Sequence, residues 1–328
     1  MTVGVAICAA WYYTILAGFY VLYCPVMYLM FFKHSLYRKA VDVLFSLWEL
    51  YPVALFQWVY HTHLSLFGDY VNPNENIIII MNHRSRVDWN YLWIALYHAA
   101  QNIKHGDLKG RDENDIFDTI SGGKSRIKFV LKDEIKFVPG MGWIMQLNYF
   151  LYVKRNWQED KINLTQFVDY YRKLRYKNRI VLFPEGTDLS DDNRRRSDKF
   201  ADVNKLQRYE FVLHPRTKGW VALCSRFRSA GLTSVYDVTV AYDKPVTELD
   251  MIRGRLPQQI SFHFKRHPID HIPLSDDALK DWLNDRWREK EHSLRKFHTE
   301  GIFNDATTNN KPVKRKLRNL TRAKIVPS

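Results

Sequence analysis

Hydrophobic positions along the chain form one long N-terminal run and then a series of shorter runs separated by amphipathic stretches. Residues 1–32 contain no charged side chain, and this length is sufficient to cross a bilayer once. A secretory signal peptide is the alternative, but no basic residue precedes the apolar run and the run is too long. The basic segment at residues 33–39 follows, which favours a cytosolic position for the chain after this span.

A second apolar stretch covers residues 43–60 and is interrupted by Asp42, Glu49 and Pro52. We predict a re-entrant or interfacial helix pair here rather than a second clean span. The first segment then anchors the protein with its main body in the cytosol, whereas a second span would invert this topology. His61 and His63 follow at the predicted headgroup level, and a metal site of the H-x-H type is the less favoured alternative.

From about residue 68 onward, short apolar runs alternate with helical patterns. Residues 77–81 hold four consecutive isoleucines, as expected for a strand that is buried on both faces. Further strands are predicted at residues 128–131, 149–153, 179–183, 235–242 and 259–265. Helices are predicted at residues 89–98, 143–147, 161–174 and 218–229. This alternation favours an α/β fold in which a mixed, mostly parallel sheet is flanked by helices.

The C-terminal part is predicted to add one long helix and a basic tail. Ser275 is a candidate N-cap for a helix that extends to Phe297. The apolar stripe of this helix is expected to pack on the body of the protein and comprises Leu279, Trp282, Leu283, Trp287 and Leu294. Residues 311–324 carry seven Lys or Arg and no acid. This tail is expected to be disordered alone and either attracted to anionic lipid or simply solvated.

These patterns divide the chain into four parts. Residues 1–65 are predicted to anchor the protein in a membrane, and residues 66–270 to form the α/β domain. Residues 271–303 form the amphipathic helix that packs on this domain, and residues 304–328 form the basic tail. Within the domain, the polar residues 105–124 are predicted to be a surface excursion.

The net charge of +14 indicates an anionic partner, namely nucleic acid, phospholipid or a phosphorylated substrate. The chain lacks the aromatic-basic modules of nucleic-acid binders, so phospholipid is the simpler explanation and we expect no nucleic-acid partner. Its three cysteines have no disulfide or metal-ligand spacing, which favours a reducing compartment. We expect no metal site, and the absence of a G-x-S-x-G sequence argues against a serine hydrolase.

The first chemical feature is the pair His83 and Asp88, which follows the isoleucine strand. On a regular helix, residues five apart point about 140° away from each other. The two side chains can therefore touch only if His83 lies in the turn before a helix and Asp88 lies in its first turn. An aspartate that accepts from one imidazole nitrogen leaves the other nitrogen available as a base. The alternative is a helix-capping histidine followed by an ordinary acidic first-turn residue.

Two further groups of polar residues lie where predicted strands end. Lys154 and Arg155 end one strand, and the segment Pro184-Glu185-Gly186 ends another in a tight turn. Each group has an ordinary alternative, since strand-end charges are often solvated and Pro-Glu-Gly is often a plain turn. Cations, a glycine turn and a His/Asp pair at neighbouring strand ends together fit an active site that binds phosphate.

In this order, H-x-x-x-x-D, a strand ending in Arg and F-P-E-G-T resemble the sequence blocks of the glycerolipid acyltransferase family, over roughly residues 68–265. Four segments resemble the branch that contains lysocardiolipin and lysophosphatidylinositol acyltransferases: residues 81–89, 184–189, 212–219 and 267–270. The chain departs from this branch in having a basic tail where a further hydrophobic segment can occur. Residues 237–241 also lack the proline of simpler family members.

The resemblance implies an acyl-CoA-dependent O-acyltransferase that needs no cofactor, because the thioester of its co-substrate is already activated. His83 would take the proton of a lysophospholipid hydroxyl as general base, and Asp88 would orient it. Backbone N–H groups of residues 82–85 are candidates for stabilising the oxyanion.

The resemblance also implies how the acceptor is held. Arg155 would bind its phosphate with help from Lys154, and acceptor binding is also assigned to Glu185, Gly186 and Thr187. Candidate cations for the phosphates of CoA are Lys128, Lys132, Lys136, Arg194, Arg195 and Arg196. A solvated loop is the favoured interpretation of the last three.

We therefore expect remodelling of phospholipid acyl chains, with lysophosphatidylinositol or lysocardiolipin as acceptor, at the endoplasmic reticulum membrane or a mitochondria-associated membrane. Membrane phospholipids are the other expected partner. One alternative is an acyltransferase that acts on 1-acylglycerol-3-phosphate (lysophosphatidic acid), and another is an inactive lipid-binding scaffold.

Overall fold

The computed structural model describes residues 2–55, 60–72, 74–101, 126–244, 246–301 and 303. The predicted surface excursion at 105–124 and the basic tail lie outside the described residues. Seven strands of the described part form one sheet in the order β1-β7-β6-β2-β5-β3-β4. The strands are β1 (His63–Gly68), β2 (Ile77–Met81), β3 (Ile127–Lys132), β4 (Leu151–Val153), β5 (Arg179–Leu182), β6 (Ser234–Tyr242) and β7 (Gln259–Pro268).

Most of the sheet is parallel. Strands β6, β2, β5, β3 and β4 run in one direction, β7 is antiparallel to β6, and β1 is parallel to β7. The carboxyl ends of β2, β3, β4, β5 and β6 therefore share one edge, where open α/β sheets place their ligands. The predicted fold class, a mixed and mostly parallel sheet flanked by helices, is confirmed.

The first helices are α1 (Thr2–Gly18), a π-helical turn (Phe19–Tyr23), α2 (Cys24–Met27), α3 (Leu29–Phe32) and α4 (His34–Ala54). The domain contains α5 (Asp88–Gln101), α6 (Met141–Leu147), α7 (Trp157–Lys173), α8 (Asp191–Val203), α9 (Thr217–Arg228), α10 (Glu248–Ile252) and α11 (Asp276–Glu300). Short 3₁₀ helices occupy Asp133–Phe137 and Ile269–His271. Ser275 caps α11 as predicted, since its hydroxyl accepts a hydrogen bond from the Ala278 N–H at 3.3 Å.

The isoleucine strand is the centre of both core layers. Side chains alternate along a strand, so Ile77 and Ile79 pack in a cluster with α4 and α5, whereas Ile78 and Ile80 pack with α7, α9 and α11. All five residues of β2 are fully buried. This two-sided burial explains the absence of polar residues from the strand.

Two elements differ from the sequence-based prediction. Residues 63–68 form edge strand β1 although no strand was predicted there, because the alternation of the segment is short and its pairing partner β7 lies almost 200 residues away. Arg194, Arg195 and Arg196 lie in helix α8, so the predicted loop was wrong, whereas their predicted solvent exposure is confirmed. Their guanidinium groups are exposed along a helix that buries Ala201 against the domain.

Helix α4 corrects the interpretation of the second apolar stretch. Its described part is one helix rather than a re-entrant or interfacial pair, and Asp42 and Glu49 are buried against the domain. The Asp42 carboxylate accepts hydrogen bonds from the Lys128 ammonium and the Tyr176 hydroxyl, each at 2.5 Å. Asp42 is therefore an internal ion-pair partner rather than an interruption of a membrane segment, and burial raises the pKa of Glu49 and favours its neutral form. Lys128 is consequently unavailable to the phosphates of CoA, which corrects that prediction.

One helical segment among the described residues, Gly4–Phe32, is long and apolar enough to cross a membrane by length and composition. One side of it packs on the domain, where the Trp11 ring stacks between Trp48 and Trp89 with centroid distances of 6.2 Å. The other side carries exposed aromatic residues such as Tyr13 and Phe31. Trp89 follows the first residue of α5, so this apolar helix contacts the element that carries Asp88.

Candidate active site

The site begins at the residue that follows β2. The Asn82 side-chain amide donates to the Val240 carbonyl at 3.1 Å and accepts from the Val240 N–H at 2.9 Å. These two bonds continue the pairing of β2 with β6 through a side chain, so the main chain is free to leave the sheet at His83. The turn that follows leads directly into α5.

The carboxylate of Asp88 is the organising centre of this turn. It is fully buried at the first residue of α5, and it accepts hydrogen bonds from the Arg84 N–H at 2.7 Å and the Ser85 N–H at 3.1 Å. The Tyr242 hydroxyl, from the end of β6, donates to it at 2.5 Å. These donors, together with the position of Asp88 at the N-terminus of α5, hold its side chain in one orientation.

Asp88 also contacts His83, and 3.0 Å separates its Oδ2 from the imidazole Nδ1. Because the carboxylate can only accept, Nδ1 carries the proton and Nε2 keeps its lone pair. The His83 ring lies on Phe183 with centroids 4.5 Å apart, and its side chain is 18% exposed. The predicted contact of the pair is present, and Nε2 has no hydrogen-bond partner among the described residues.

Three of the four backbone N–H groups predicted as oxyanion donors have other acceptors, namely those of His83, Arg84 and Ser85. The N–H groups of Arg84 and Ser85 donate to Asp88, and the His83 N–H donates to Glu185 at 3.3 Å. All three are therefore engaged with carboxylates, and the prediction that they stabilise an oxyanion was wrong for them. Their role is to fix the position of His83.

Glu185 is buried next to the turn that carries His83. Its side chain accepts from the His83 N–H, from the Leu213 N–H at 3.2 Å and from the Trp287 indole N–H at 3.2 Å. Burial raises the pKa of Glu185 to about 8, while its three donors and the Lys290 ammonium act in the opposite direction. Glu185 thus joins the turn to α11, and its predicted contact with the acceptor stays a prediction.

Glu185→Gln is expected to lower the free energy of unfolding by about 1–3 kcal/mol. All three protein donors point at the two oxygens of the Glu185 carboxyl group, so the amide nitrogen of glutamine would place N–H against N–H. The effect should be largest above pH 8, where the carboxyl group is ionised. The measurement is thermal unfolding of the detergent-solubilised protein beside exposed Glu159→Gln as the control. Equal melting temperatures of the two variants would contradict this role for Glu185.

The Pro-Glu-Gly turn brings Gly186 next to two arginines. Gly186 has φ +71°, and a Cβ there would lie 3.4 Å from the Arg216 side chain. The conformation favours glycine, whereas a Cβ would make only ordinary contact with Arg216. The Arg155 guanidinium donates to the Gly186 carbonyl at 3.0 Å, so a side chain that follows β4 reaches the turn after β5 although β3 lies between the two strands.

Arg155, Arg216 and Lys132 form a cation cluster beside this turn. Partial burial lowers the pKa of Arg216 and of Lys132, and the nearby positive charge of Arg155 lowers both further. In the described part of the chain, neither Lys132 nor Arg216 forms an ion pair with a carboxylate. Lys132 and Arg216 both lie within electrostatic range of Arg155. Three cations grouped in this way suit the binding of a phosphate group. Arg216 was missed, although it lies within residues 212–219, which resemble the lysocardiolipin branch.

The other predicted binding residues are distributed around this cluster. Lys154 points elsewhere, since its ammonium pairs with Glu159 at 3.0 Å. The Thr187 hydroxyl accepts from the Asn193 side chain at 3.0 Å, which connects the turn to α8. Three of the candidate CoA cations pair with neighbouring acids, namely Lys136, Arg194 and Arg195.

Two family models match the chain. The one described as Acyltransferase covers residues 65–243, which is more than half of the sequence, and the one described as Acyltransferase C-terminus covers residues 250–324. The chain belongs to the acyltransferase family. The Acyltransferase match contains His83, Asp88, the Gly186 turn and the cation cluster.

Several curated proteins are similar to this acyltransferase. Lysocardiolipin acyltransferase 1 of Mus musculus is 38% identical over 277 residues, which cover 84% of this chain and 68% of that protein. Lysophosphatidylinositol acyltransferase 10 of Caenorhabditis elegans is 31% identical over 82% of this chain and 64% of its own length. Probable 1-acyl-sn-glycerol-3-phosphate acyltransferase 5 of Arabidopsis thaliana is 34% identical over 81% and 65%. The predicted family and branch resemblance is confirmed, and the chain spans about two thirds of the length of these relatives.

The crystal structure of the 1-acyl-sn-glycerophosphate acyltransferase PlsC from Thermotoga maritima also matches this acyltransferase. The TM-score is 0.50 at 14% sequence identity, and the match covers 90% of this chain and 97% of that one. Similarity at this level of identity concerns the fold alone.

Proposed function

We propose that this acyltransferase moves an acyl group from acyl-CoA to the free hydroxyl of a lysophospholipid, with lysophosphatidylinositol or lysocardiolipin as acceptor, in the remodelling of phospholipid acyl chains. The observation that carries this proposal is the 3.0 Å contact of His83 with a buried Asp88, on the same sheet edge as the cation cluster. This arrangement offers a base for a hydroxyl and a binding site for the phosphate of the same molecule.

The chemistry requires no enzyme nucleophile, because the thioester of acyl-CoA is already activated. The acceptor hydroxyl gives its proton to His83 Nε2 while its oxygen attacks the thioester carbonyl carbon. The tetrahedral intermediate then collapses, the carbon–sulfur bond breaks, and the CoA thiolate takes up the proton from the imidazolium. Asp88 stabilises the charged imidazole throughout, as the acid does in a Ser/His/Asp triad. No cofactor or metal enters these steps.

The acceptor phosphate is held by the cation cluster, with Arg155 as its central member. The guanidinium of Arg155 is fixed by the Gly186 carbonyl yet keeps donors for a ligand, since arginine has five N–H groups. Glu185 then acts through the main chain of His83, and Thr187 through the turn that precedes α8. Lys154 is exposed and paired with Glu159, so we assign it no more than a supporting role.

The acceptor is itself part of a membrane, and the apolar helix at Gly4–Phe32 supplies the anchor. Its Trp11 stacks on Trp89, next to Asp88, so lipid held by this helix lies near the catalytic edge. Aromatic side chains such as Tyr13 and Tyr20 project from its free side, as is typical of residues at a membrane interface. We assign the protein to the endoplasmic reticulum membrane, with a mitochondria-associated membrane as the alternative.

Lysophosphatidic acid is the second candidate acceptor, because an Arabidopsis relative is named for acylation of 1-acylglycerol-3-phosphate. The mouse and nematode relatives are named for lysocardiolipin and lysophosphatidylinositol and favour the first candidates. An inactive lipid-binding scaffold is disfavoured by the complete set of donors around Asp88, which a scaffold has no need to keep.

A test of the proposal is an acyl-CoA assay on membranes that contain the protein, with a panel of lysophosphatidylinositol, lysocardiolipin and lysophosphatidic acid. Transfer to either of the first two in preference to lysophosphatidic acid is the expected result. Preference for lysophosphatidic acid would overturn the assigned acceptor, and absence of transfer to every acceptor would overturn the catalytic proposal.

Arg155→Ala is expected to raise the KM for the lysophospholipid about 10- to 100-fold, because hydrogen bonds to a charged group contribute about 1.5–3 kcal/mol. The KM for acyl-CoA should change much less. Lys154→Ala is the matched control: the residue is the sequence neighbour of Arg155 and carries the same charge, but it is paired with Glu159. The measurement is initial rates over a range of acceptor concentrations. Equal effects of the two substitutions would contradict the special role of Arg155.

A further inference from the structure

One carboxylate lies among the cations of the acceptor site. The Asp188 side chain is 16% exposed, and its Oδ1 accepts from the Thr187 hydroxyl at 3.3 Å and from the Arg86 guanidinium at 3.4 Å. The negative charge of Asp188 raises the pKa of Lys132, whereas the positive charge of Arg155 lowers it. Asp188 is therefore within electrostatic range of the cation cluster. No donor from the described residues bonds to its second oxygen, Oδ2.

Asp188 is also joined to the catalytic turn through the main chain. The N–H of the next residue, Leu189, donates to the His83 carbonyl at 2.9 Å, and the Arg84 guanidinium donates to the Leu189 carbonyl at 3.0 Å. These bonds fix the backbone at Asp188 relative to His83. A group bound by Asp188 therefore keeps a defined distance from the reacting hydroxyl.

An anion beside a phosphate site changes which phosphates bind well. A phosphomonoester carries about 1.5 to 2 negative charges at pH 7, and its terminal oxygens have at most one proton to donate. It would therefore meet Asp188 chiefly as a like charge. A phosphodiester carries a single charge, and a polyol attached to it adds neutral hydroxyl donors, which a carboxylate accepts strongly.

We propose that Asp188 is a specificity-determining residue that accepts a hydrogen bond from a hydroxyl of a polyol headgroup, while the cation cluster binds the phosphodiester. The inference rests on the proposed acyltransferase function and narrows its acceptor to lysophospholipids with a polyol attached through a phosphodiester. Both lysophosphatidylinositol and lysocardiolipin satisfy this description, and lysophosphatidic acid does not.

The test compares kcat/KM for lysophosphatidylinositol and lysophosphatidic acid in the wild type and in Asp188→Asn, with an acyl-CoA donor in detergent micelles. Asparagine is nearly the same size but carries no charge, so the preference for lysophosphatidylinositol is expected to fall about tenfold or more. Asp192→Asn is the matched control, because Asp192 is exposed on α8 and pairs with Arg195. Asp188→Glu keeps the carboxylate and should retain most of the preference.

The ratio of the two acceptors is the decisive quantity, since loss of folded protein lowers both rates alike. An unchanged ratio in Asp188→Asn, or an equal loss with both acceptors, overturns the role of Asp188. Loss of the preference in Asp188→Glu as well as in Asp188→Asn also overturns it. A wild type without transfer to any acceptor overturns the proposed function itself, whereas an active wild type with an unaltered ratio overturns only this inference.

Discussion

His83→Ala is expected to reduce kcat for acyl transfer by about 10²–10⁴-fold, the usual contribution of a positioned general base. The imidazole Nε2 has no partner among the described residues, whereas Nδ1 is held by Asp88 at 3.0 Å. Alanine removes this base but leaves Asp88 with its three other donor groups, so the fold around the site should be kept. The measurement is the rate of acyl transfer from acyl-CoA to lysophosphatidylinositol.

His292→Ala is the matched control, because His292 is exposed on α11. This variant should retain the wild-type rate. A thermal unfolding curve of His83→Ala similar to that of the wild type would show that the loss is chemical. Activity that survives in His83→Ala would remove His83 from the role of general base and direct attention to another proton acceptor on the same edge of the sheet.

The part of the site that local sequence determines was predictable. Four isoleucines require a strand buried on both faces, and β2 has the predicted bounds, Ile77–Met81. Because five residues separate His83 from Asp88, contact required a turn followed by the first turn of a helix. The structure has this arrangement, with Asp88 as the first residue of α5. Periodicity and spacing were sufficient here because every contact involved lies within a few residues.

The partners that fix the site were not predictable, because they come from distant parts of the chain. The Tyr242 hydroxyl that donates to Asp88 lies 154 residues away, and the Trp287 indole that donates to Glu185 lies 102 residues away. The apolar stripe of α11 indicated that Trp287 packs on the domain, but a stripe does not show which polar group an indole N–H reaches. Only the packing of α11 against β6 and the Pro-Glu-Gly turn decides this.

Charged residues in apolar stretches were the main source of error. Asp42 and Glu49 interrupt an apolar run, and composition alone favoured the surface of a membrane. Their actual environment is the interior of the domain, where Lys128 and Tyr176 satisfy Asp42. A sequence does not distinguish these two environments, since both place a charge beside apolar residues. The same ambiguity affected Lys128, whose partner on α4 is 86 residues away.

Adjacent cations at the end of β4 show a related limit. Lys154 and Arg155 are equivalent by sequence, but φ of Arg155 is +63°. This left-handed conformation turns the chain sharply after Lys154. One side chain consequently reaches the Gly186 carbonyl and the other reaches Glu159. Backbone conformation at one residue, rather than residue type, separates a candidate phosphate ligand from a surface ion pair.

Asp88→Asn is expected to lower kcat by about 10²–10⁴-fold while leaving the KM for the acceptor within a few-fold of the wild-type value. Both oxygens of Asp88 accept hydrogen bonds, so an amide nitrogen must face a donor in either orientation. If the nitrogen faces His83, it donates to Nδ1 and moves the imidazole proton to Nε2, which removes the lone pair that accepts the substrate proton. If it faces Tyr242, a buried hydroxyl loses its acceptor, and the free energy of unfolding falls by about 1–3 kcal/mol.

Kinetics and unfolding together distinguish these two orientations, and Asp281→Asn on the exposed side of α11 is the matched control. A large fall in kcat indicates the wrong tautomer, because the amide nitrogen then faces both His83 and the Arg84 N–H. A lower melting temperature with a smaller fall in kcat indicates loss of the Tyr242 bond. A variant with wild-type kcat would show that His83 works without an oriented partner. That result would reduce Asp88 to a helix-capping residue, the alternative that the spacing of five residues left open.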